Sequence, residues 1–206
     1  MNKTLRRSLI VVAIAAVVTS ATLPASAYCL TGVRWPSRAD VRYNPLGKVT
    51  GSVQCISTSQ MDSAVTSGIT PWSAIRNAGT TGAKANRRDG INTVGWAKLG
   101  GGTLGITNYL DNDRFLTVPC GDNLFANLYE ADVRLTTVYR WFSGGSCPCA
   151  AGPAFSLDSV SEHEFGHVIG LCHVNQQSSL MYPSFDICQT KNKGSDENAG
   201  ENATCW

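Results

Sequence analysis

The stretch His163-Glu164-Phe165-Gly166-His167-Val168-Ile169-Gly170-Leu171-Cys172-His173 holds all three histidines of a 206-residue chain. A side-chain type confined to one stretch serves one purpose there, and the spacing says which. His163 and His167 are i and i+4, so on a helix their imidazoles leave the same face, rotated by about 40°. Gly170 can take the positive φ that ends a helix and swings the chain back, bringing His173 round to the other two. Three neutral imidazoles leave one tetrahedral position open for water, the layout of a catalytic rather than a structural zinc site. Glu164, beside the first of them, is placed to act on that water as a general base. Two other readings compete. Zinc held without catalysis gives Glu164 no task. Three hydrogen-bonded histidines on an amphipathic helix, with Glu164 a solvated charge, would make the pattern accidental.

The extended spacing H-E-x-x-H-x-x-G-x-x-H is the metzincin signature, and the resemblance runs beyond it. Met181 follows in Ser178-Ser179-Leu180-Met181-Tyr182-Pro183, which resembles the Met-turn of that family in the form seen in matrixins. Phe155-Ser156-Leu157-Asp158-Ser159-Val160 resembles the matrixin lead-in to the zinc helix. Trp35-Pro36 with Val41-Arg42-Tyr43, then Ile91-Asn92-Thr93-Val94-Gly95-Trp96, resemble its first and second strands, and Glu130-Ala131-Asp132-Val133-Arg134-Leu135 a later one. The matches occur in the family's order and cover most of the chain after its first 27 residues.

That resemblance implies an α/β, metzincin-like zincin fold. A twisted, mostly parallel sheet and two main helices, one carrying the active site, would lie above a cleft, with a small irregular C-terminal subdomain below. It implies a secreted endopeptidase in which His163, His167 and His173 hold one Zn²⁺ and Glu164 is the catalytic base, with Gly170 and Met181 supporting the site. Leu104–Asn108 would be the edge strand lining the cleft, taking a peptide substrate as an added antiparallel strand. The chain also departs from matrixins. It shows no propeptide cysteine motif, no further histidines or dense acidic clusters for structural zinc and calcium, and an unusual Cys172 before the third histidine. Tyr182 directly follows Met181, whereas astacin-like and serralysin-like enzymes place their tyrosine ligand two residues after the methionine, so no tyrosine ligand is expected.

Residues 1–27 read as a secretory signal, with Lys3, Arg6 and Arg7, an apolar run from Leu9 to Val18, and Ala25-Ser26-Ala27 as the cleavage site. The apolar run is too short to span a bilayer, so no membrane anchor is expected. Cleavage leaves residues 28–206 as one catalytic domain and, by removing three cations and no anions, takes the formal charge from +2 to −1. Nothing in that balance points to nucleic acid, and a monomer is expected. The eight cysteines all follow the signal and read as disulfides of an exported chain. Cys147 and Cys149 are too close to bond each other, and the eight cysteines allow about 105 pairings, so connectivity stays open; one candidate is Cys172–Cys188, which would bracket the Met-turn segment, and another Cys29–Cys205, which would tie the two ends together. A disulfide-rich adhesion or inhibitor module is the reading that zinc content would exclude.

Elsewhere, Ala39–Tyr43 reads as a strand, and Ser57–Ser67 as a helix capped by Ser57 or Thr58, with Met61, Ala64 and Val65 inward. Ala78–Gly90 reads as a loop, and Ile91–Leu99 with Thr103–Leu110 as strands joined through Gly100-Gly101-Gly102 in a hairpin. Asp111-Asn112-Asp113 offers the oxygen ligands calcium takes, with a solvated turn as the plainer reading. The active-site helix should run from near Ser156–Ser159 to Gly170, and Asp196–Gly200 faintly suggests a last helix.

Overall fold

Strand alternation and one long central strand organise this chain. The computed structural model describes residues 28–49, 54–121, 123–144, 147 and 152–206, with the backbone alone described for 111–117. The main sheet contains β1 (Val33–Arg34), β2 (Ala39–Tyr43), β3 (Ile75–Thr80), β4 (Asn92–Ala97), β5 (Gly105–Cys120) and β6 (Asn123–Thr136). In β2 the period of two is visible directly: Ala39, Val41 and Tyr43 are buried, while Arg42 faces water. β6 is the spine. Its Val133 pairs with Val94 of β4 on one edge and Thr107 of β5 on the other, and its Ala126 pairs with Val33 of β1 and Thr117 of β5. β2 pairs with β4 and β3 beyond, and every pairing is parallel except that of β5 with β6. A second, two-stranded pair joins β7 (Trp141–Phe142) to β8 (Phe155–Ser156).

The hairpin expected between β4 and β5 does not form. The strands expected to pair across Gly100-Gly101-Gly102 are both present, but β6 lies between β4 and β5. β6, which carries Phe125, Leu128, Val133 and Leu135 at 0 to 1% exposure, takes the centre, where both edges are paired. Two smaller corrections follow from the sheet. Ala78–Thr80 completes β3, so the loop begins after it, and Asp111-Asn112-Asp113 lies within β5 rather than in a turn, where the register with β6 shifts.

Three helices complete the described fold: the two main ones expected, α1 (Thr58–Ser67) and α2 (Leu157–Val168), and α3 (Ser195–Ala203), which covers the faint signal at Asp196–Gly200. α1 begins with a capping box, the Ser57 hydroxyl accepting from the Gln60 amide while the Gln60 side chain accepts from the Ser57 amide. Met61, Ala64 and Val65 are its buried face. Ser156 caps α2 by accepting from the Ser159 amide. Three buried indoles lock the layers: Trp72 Nε1 donates to the Glu162 carbonyl (3.1 Å), Trp35 Nε1 to that of Val168 (2.9 Å) and Trp141 Nε1 to that of Thr136 (3.2 Å). Each buries a large apolar surface without orphaning its N–H. No helix of the described residues is long and apolar enough to cross a membrane.

The disulfides are Cys29–Cys172, Cys120–Cys205 and Cys147–Cys188, with Cys55 also bonded. Both expected pairings are therefore overturned. The chain near Cys29 runs beside the segment after α2: Leu30 bridges Leu171, and the Cys172 amide donates to the Cys29 carbonyl at 2.9 Å. Cys188 instead donates its amide to the Ala154 carbonyl, which puts it by the loop bearing Cys147. Residues 1–27, read as a signal, and Cys149 lie outside the described residues. Peptide mapping of the oxidised protein should recover these three pairs. Replacing Cys29 and Cys172 together by serine should cost about 2–5 kcal/mol in denaturant unfolding, since the bridge closes a long loop.

Candidate metal centre

α2 presents His163 and His167 on one face, and the turn at Gly170 returns the chain so that His173 completes a triangle. The Nε2 atoms lie 3.1 Å apart for His163 and His167, 3.1 Å for His167 and His173, and 3.3 Å for His163 and His173. Each helical imidazole is fixed from behind. His163 Nδ1 donates to the Leu180 carbonyl and His167 Nδ1 to the Leu171 carbonyl, both at 2.7 Å. A carbonyl only accepts, so both protons sit on Nδ1 and both Nε2 atoms are bare lone pairs.

Those lone pairs oppose one another unless a cation lies between them. Burial makes protonation a poor remedy. It pushes the His163 pKa down to about 3, helped by the charge of His167, and that of His167 to about 4; it lowers that of His173 as well. Three neutral imidazoles converging on one point are the donor set of zinc. Zn–N bonds of about 2.0–2.1 Å in tetrahedral array separate nitrogens by about 3.3–3.4 Å, close to the spacing here. Among the described residues these histidines are the one group of His, Cys, Asp or Glu side chains gathered tightly enough to hold a metal. The side chains of 111–113, the calcium candidate, lie outside the described residues.

Glu164, next to the first imidazole, is 4% exposed. Burial pushes its carboxyl up to about 7, partly offset by a hydrogen bond from Thr107 Oγ1 to Oε2 at 2.7 Å. It lies between two concavities. One, of about 430 Å³, includes Leu104, Tyr139, Phe155, Val160 and Phe185; the other, of about 320 Å³, includes Thr31, Ile106, Tyr109, His167 and Cys172; Glu164 and His173 line both. The cleft therefore runs past the histidines, bordered along its length by β5.

Packing beneath the histidines is close. A Cβ on Gly166 would lie 2.5 Å from Met181 Sδ, so Met181 rests directly on the helix backbone between the two helical ligand positions. Met181 is 2% exposed, and its carbonyl accepts from the Val174 amide at 3.0 Å, next to His173. Gly170 has φ +99°, and a Cβ there would strike the Val33 carbonyl oxygen. The turn thus needs glycine for conformation and for space. The structure brings together all the residues singled out in the sequence: His163, Glu164, His167, Gly170, His173 and Met181. It adds some that sequence reading passed over, namely Gly105, Thr107, Tyr109 and Gly166. The alternation Gly105-Thr107-Tyr109 on an edge strand was the available signal for three of them.

Fold and site together define a metzincin-type protein. The matrixin family model matches residues 56–200, and the chain belongs to that family. Among individual proteins, it is similar to matrix metalloproteinase-27 of Homo sapiens, 50% identical over 34 residues, and to that of Tupaia belangeri, 55% over 31. It is also similar to metalloendoproteinase 1-MMP of Arabidopsis thaliana, 36% identical over 52 residues. These alignments cover 16%, 15% and 25% of this chain and 7%, 6% and 14% of the respective relatives.

In the metal-free protein, nitrogen NMR should find the His163 and His167 rings neutral at pH 5, where an ordinary imidazole of pKa about 6.5 is mostly protonated. Midpoints near 6.5 would contradict the burial argument. Gly166→Ala should displace Met181, lowering stability by about 1–3 kcal/mol, the usual cost of overpacking, and weakening zinc retention against a chelator.

Proposed function

We propose that this protein is a secreted, zinc-dependent endopeptidase. What supports the reading most is the convergence of three bare Nε2 atoms at 3.1–3.3 Å beside a buried carboxylate. The names of its relatives, metalloproteinase and metalloendoproteinase, accord with it. His163, His167 and His173 would hold the zinc, which when bound supplies a Lewis acid for the scissile carbonyl and makes water nucleophilic near neutral pH. Glu164 takes a proton as the attack proceeds and returns it to the leaving amine nitrogen. A buried carboxyl beside the three imidazoles is placed for both halves of that exchange, first as base and then as acid.

The substrate lies extended along β5. Among the described residues this strand pairs only with β6, so its other edge offers main-chain donors and acceptors to an added antiparallel strand. The cavity bearing Leu104, Tyr139, Phe155 and Phe185 takes an apolar side chain. Removal of residues 1–27 would leave Tyr28 as the first residue, immediately before the disulfide-bonded Cys29, which suits an oxidising, extracellular setting. Gly170 and Met181 support the ligand helix, and the enzyme acts as a monomer.

Digestion of casein by oxidised, zinc-loaded residues 28–206 tests the reading. The parent should cleave it. Glu164→Ala should keep its zinc and lose about 10²- to 10⁴-fold in rate, the contribution of a general base. His167→Ala should lose zinc and activity together. A Glu164→Ala protein with parental turnover would falsify the mechanism, and a zinc-loaded parent that leaves unfolded polypeptides intact would reduce the protein to a metal-binding module.

A further inference from the structure

Glu164 reaches the cleft on a side chain with three rotatable bonds, and at 4% exposure it has little water to hold its orientation. Among the described residues one side chain donates to it, that of Thr107. Thr107 Oγ1 lies 2.7 Å from Oε2 and 3.0 Å from the Glu164 backbone carbonyl; its single proton has the shorter path to the carboxylate oxygen, with the carbonyl as the competing acceptor. Threonine is β-branched and stiff at χ1, which suits it to holding one geometry. Two residues earlier on the same face of β5, Gly105 lies against the other carboxylate oxygen: a Cβ there would sit 2.5 Å from Oε1 and 2.7 Å from Cγ.

We infer that Thr107 is a positioning residue for Glu164, its hydroxyl occupying Oε2 so that Oε1 is the oxygen left to exchange the proton, with Gly105 keeping the space that Oε1 needs. This rests on the reading of Glu164 as the base. A hydroxyl that only tied β5 to α2 would act through the Glu164 carbonyl and be indifferent to the carboxylate; a positioning hydroxyl is not.

Three variants of the zinc-loaded chain separate these roles: T107V, which keeps the shape and removes the donor, T107A, which removes it with less bulk, and T107S, which restores it. T107V and T107A should lower kcat by roughly 10- to 100-fold, the effect of losing one hydrogen bond to a charged group, with KM within about two-fold and zinc content unchanged. T107S should recover most of that loss. A second readout needs no catalysis. In the metal-free protein, urea midpoints of T107V, E164Q and T107V/E164Q should be non-additive, because the two side chains share an interaction. Parental kcat in T107V and T107A, a loss confined to KM, or additive midpoints would each overturn the inference. Normal turnover by E164Q would instead remove the base itself, and this inference with it.

Discussion

Three imidazole nitrogens within 3.3 Å of one another are the constraint on which the rest of this structure depends. Neutral and with two of the protons on Nδ1, they turn bare lone pairs toward one point, an opposition that a cation between them would relieve. Neutrality comes from burial, and the tautomer from two backbone carbonyls, Leu180 and Leu171, each at 2.7 Å from an Nδ1. Both carbonyls lie outside α2, so the helix cannot make the site alone. The segment after α2 must turn sharply enough to aim Leu171 back at His167, and the chain around Met181 must return beneath His163. The geometry of the three imidazoles is therefore decided by two irregular segments rather than by the helix that carries two of them.

Each irregular segment has its own restraint. The turn at Gly170 is zipped to the first described residues: the Thr31 amide and hydroxyl both donate to the Gly170 carbonyl, at 2.8 and 3.0 Å, and Cys29–Cys172 closes the end. The Met-turn is held from α3. The Glu197 carboxylate accepts from the Ser179 hydroxyl at 2.6 Å and from the Gly194 amide at 2.8 Å; burial would raise its pKa, but these bonds outweigh it and hold the carboxyl below its ordinary value. Glu201 accepts from Ser73 and Ala74, at 2.9 Å each, and pairs with Lys193, whose ammonium lies 4.6 Å over the Trp72 ring. Buried carboxylates with full sets of donors thus connect α3 both to the Met-turn and to the Trp72 that packs on α2. Such groups are costly unless satisfied, and here the donors are fixed backbone and side-chain groups.

What could be read from the sequence divides along the same line. The histidine-bearing helix and Gly170 were legible because their chemistry is local: i, i+4 spacing and a positive φ are properties of neighbouring residues. α1 was legible from Ser57 and the Met61, Ala64, Val65 face for the same reason. α3 was faint because its buried residues are Glu197, Gly200 and Glu201, so no apolar stripe marks the inward side. The pairing of β4 and β5 through β6, and the disulfides, depend on residues far apart in sequence, and local turn signals such as Gly100-Gly101-Gly102 pointed to the wrong neighbour. Cys172 was visible as an anomaly, but its partner Cys29 became evident only once Leu30 lay beside Leu171.

The edge strand shows how two periodicities meet at the centre of the site. Residues 105, 107 and 109 share one face of β5, spaced about 6.8 Å per pair along the strand. On α2, residues 164 and 167 are one turn apart, about 4.5 Å in rise. The strand face meets this turn with three different sizes. Gly105, with no side chain, accommodates the Glu164 carboxylate; Thr107 reaches both ends of Glu164; Tyr109, the longest, reaches the His167 carbonyl with its hydroxyl at 2.5 Å. Tyr109 then lies 3.4 Å from the Thr31 hydroxyl, which continues the contact to Gly170. A one-residue slip of β5 against β6 would turn Ile106 and Asn108 to this helix and carry the column away from it. The long antiparallel register with β6, from Gly105–Leu135 to Cys120–Asn123, therefore does more than extend the sheet. It sets where Glu164 stands relative to the histidines, while leaving the outer edge of the same strand free among the described residues.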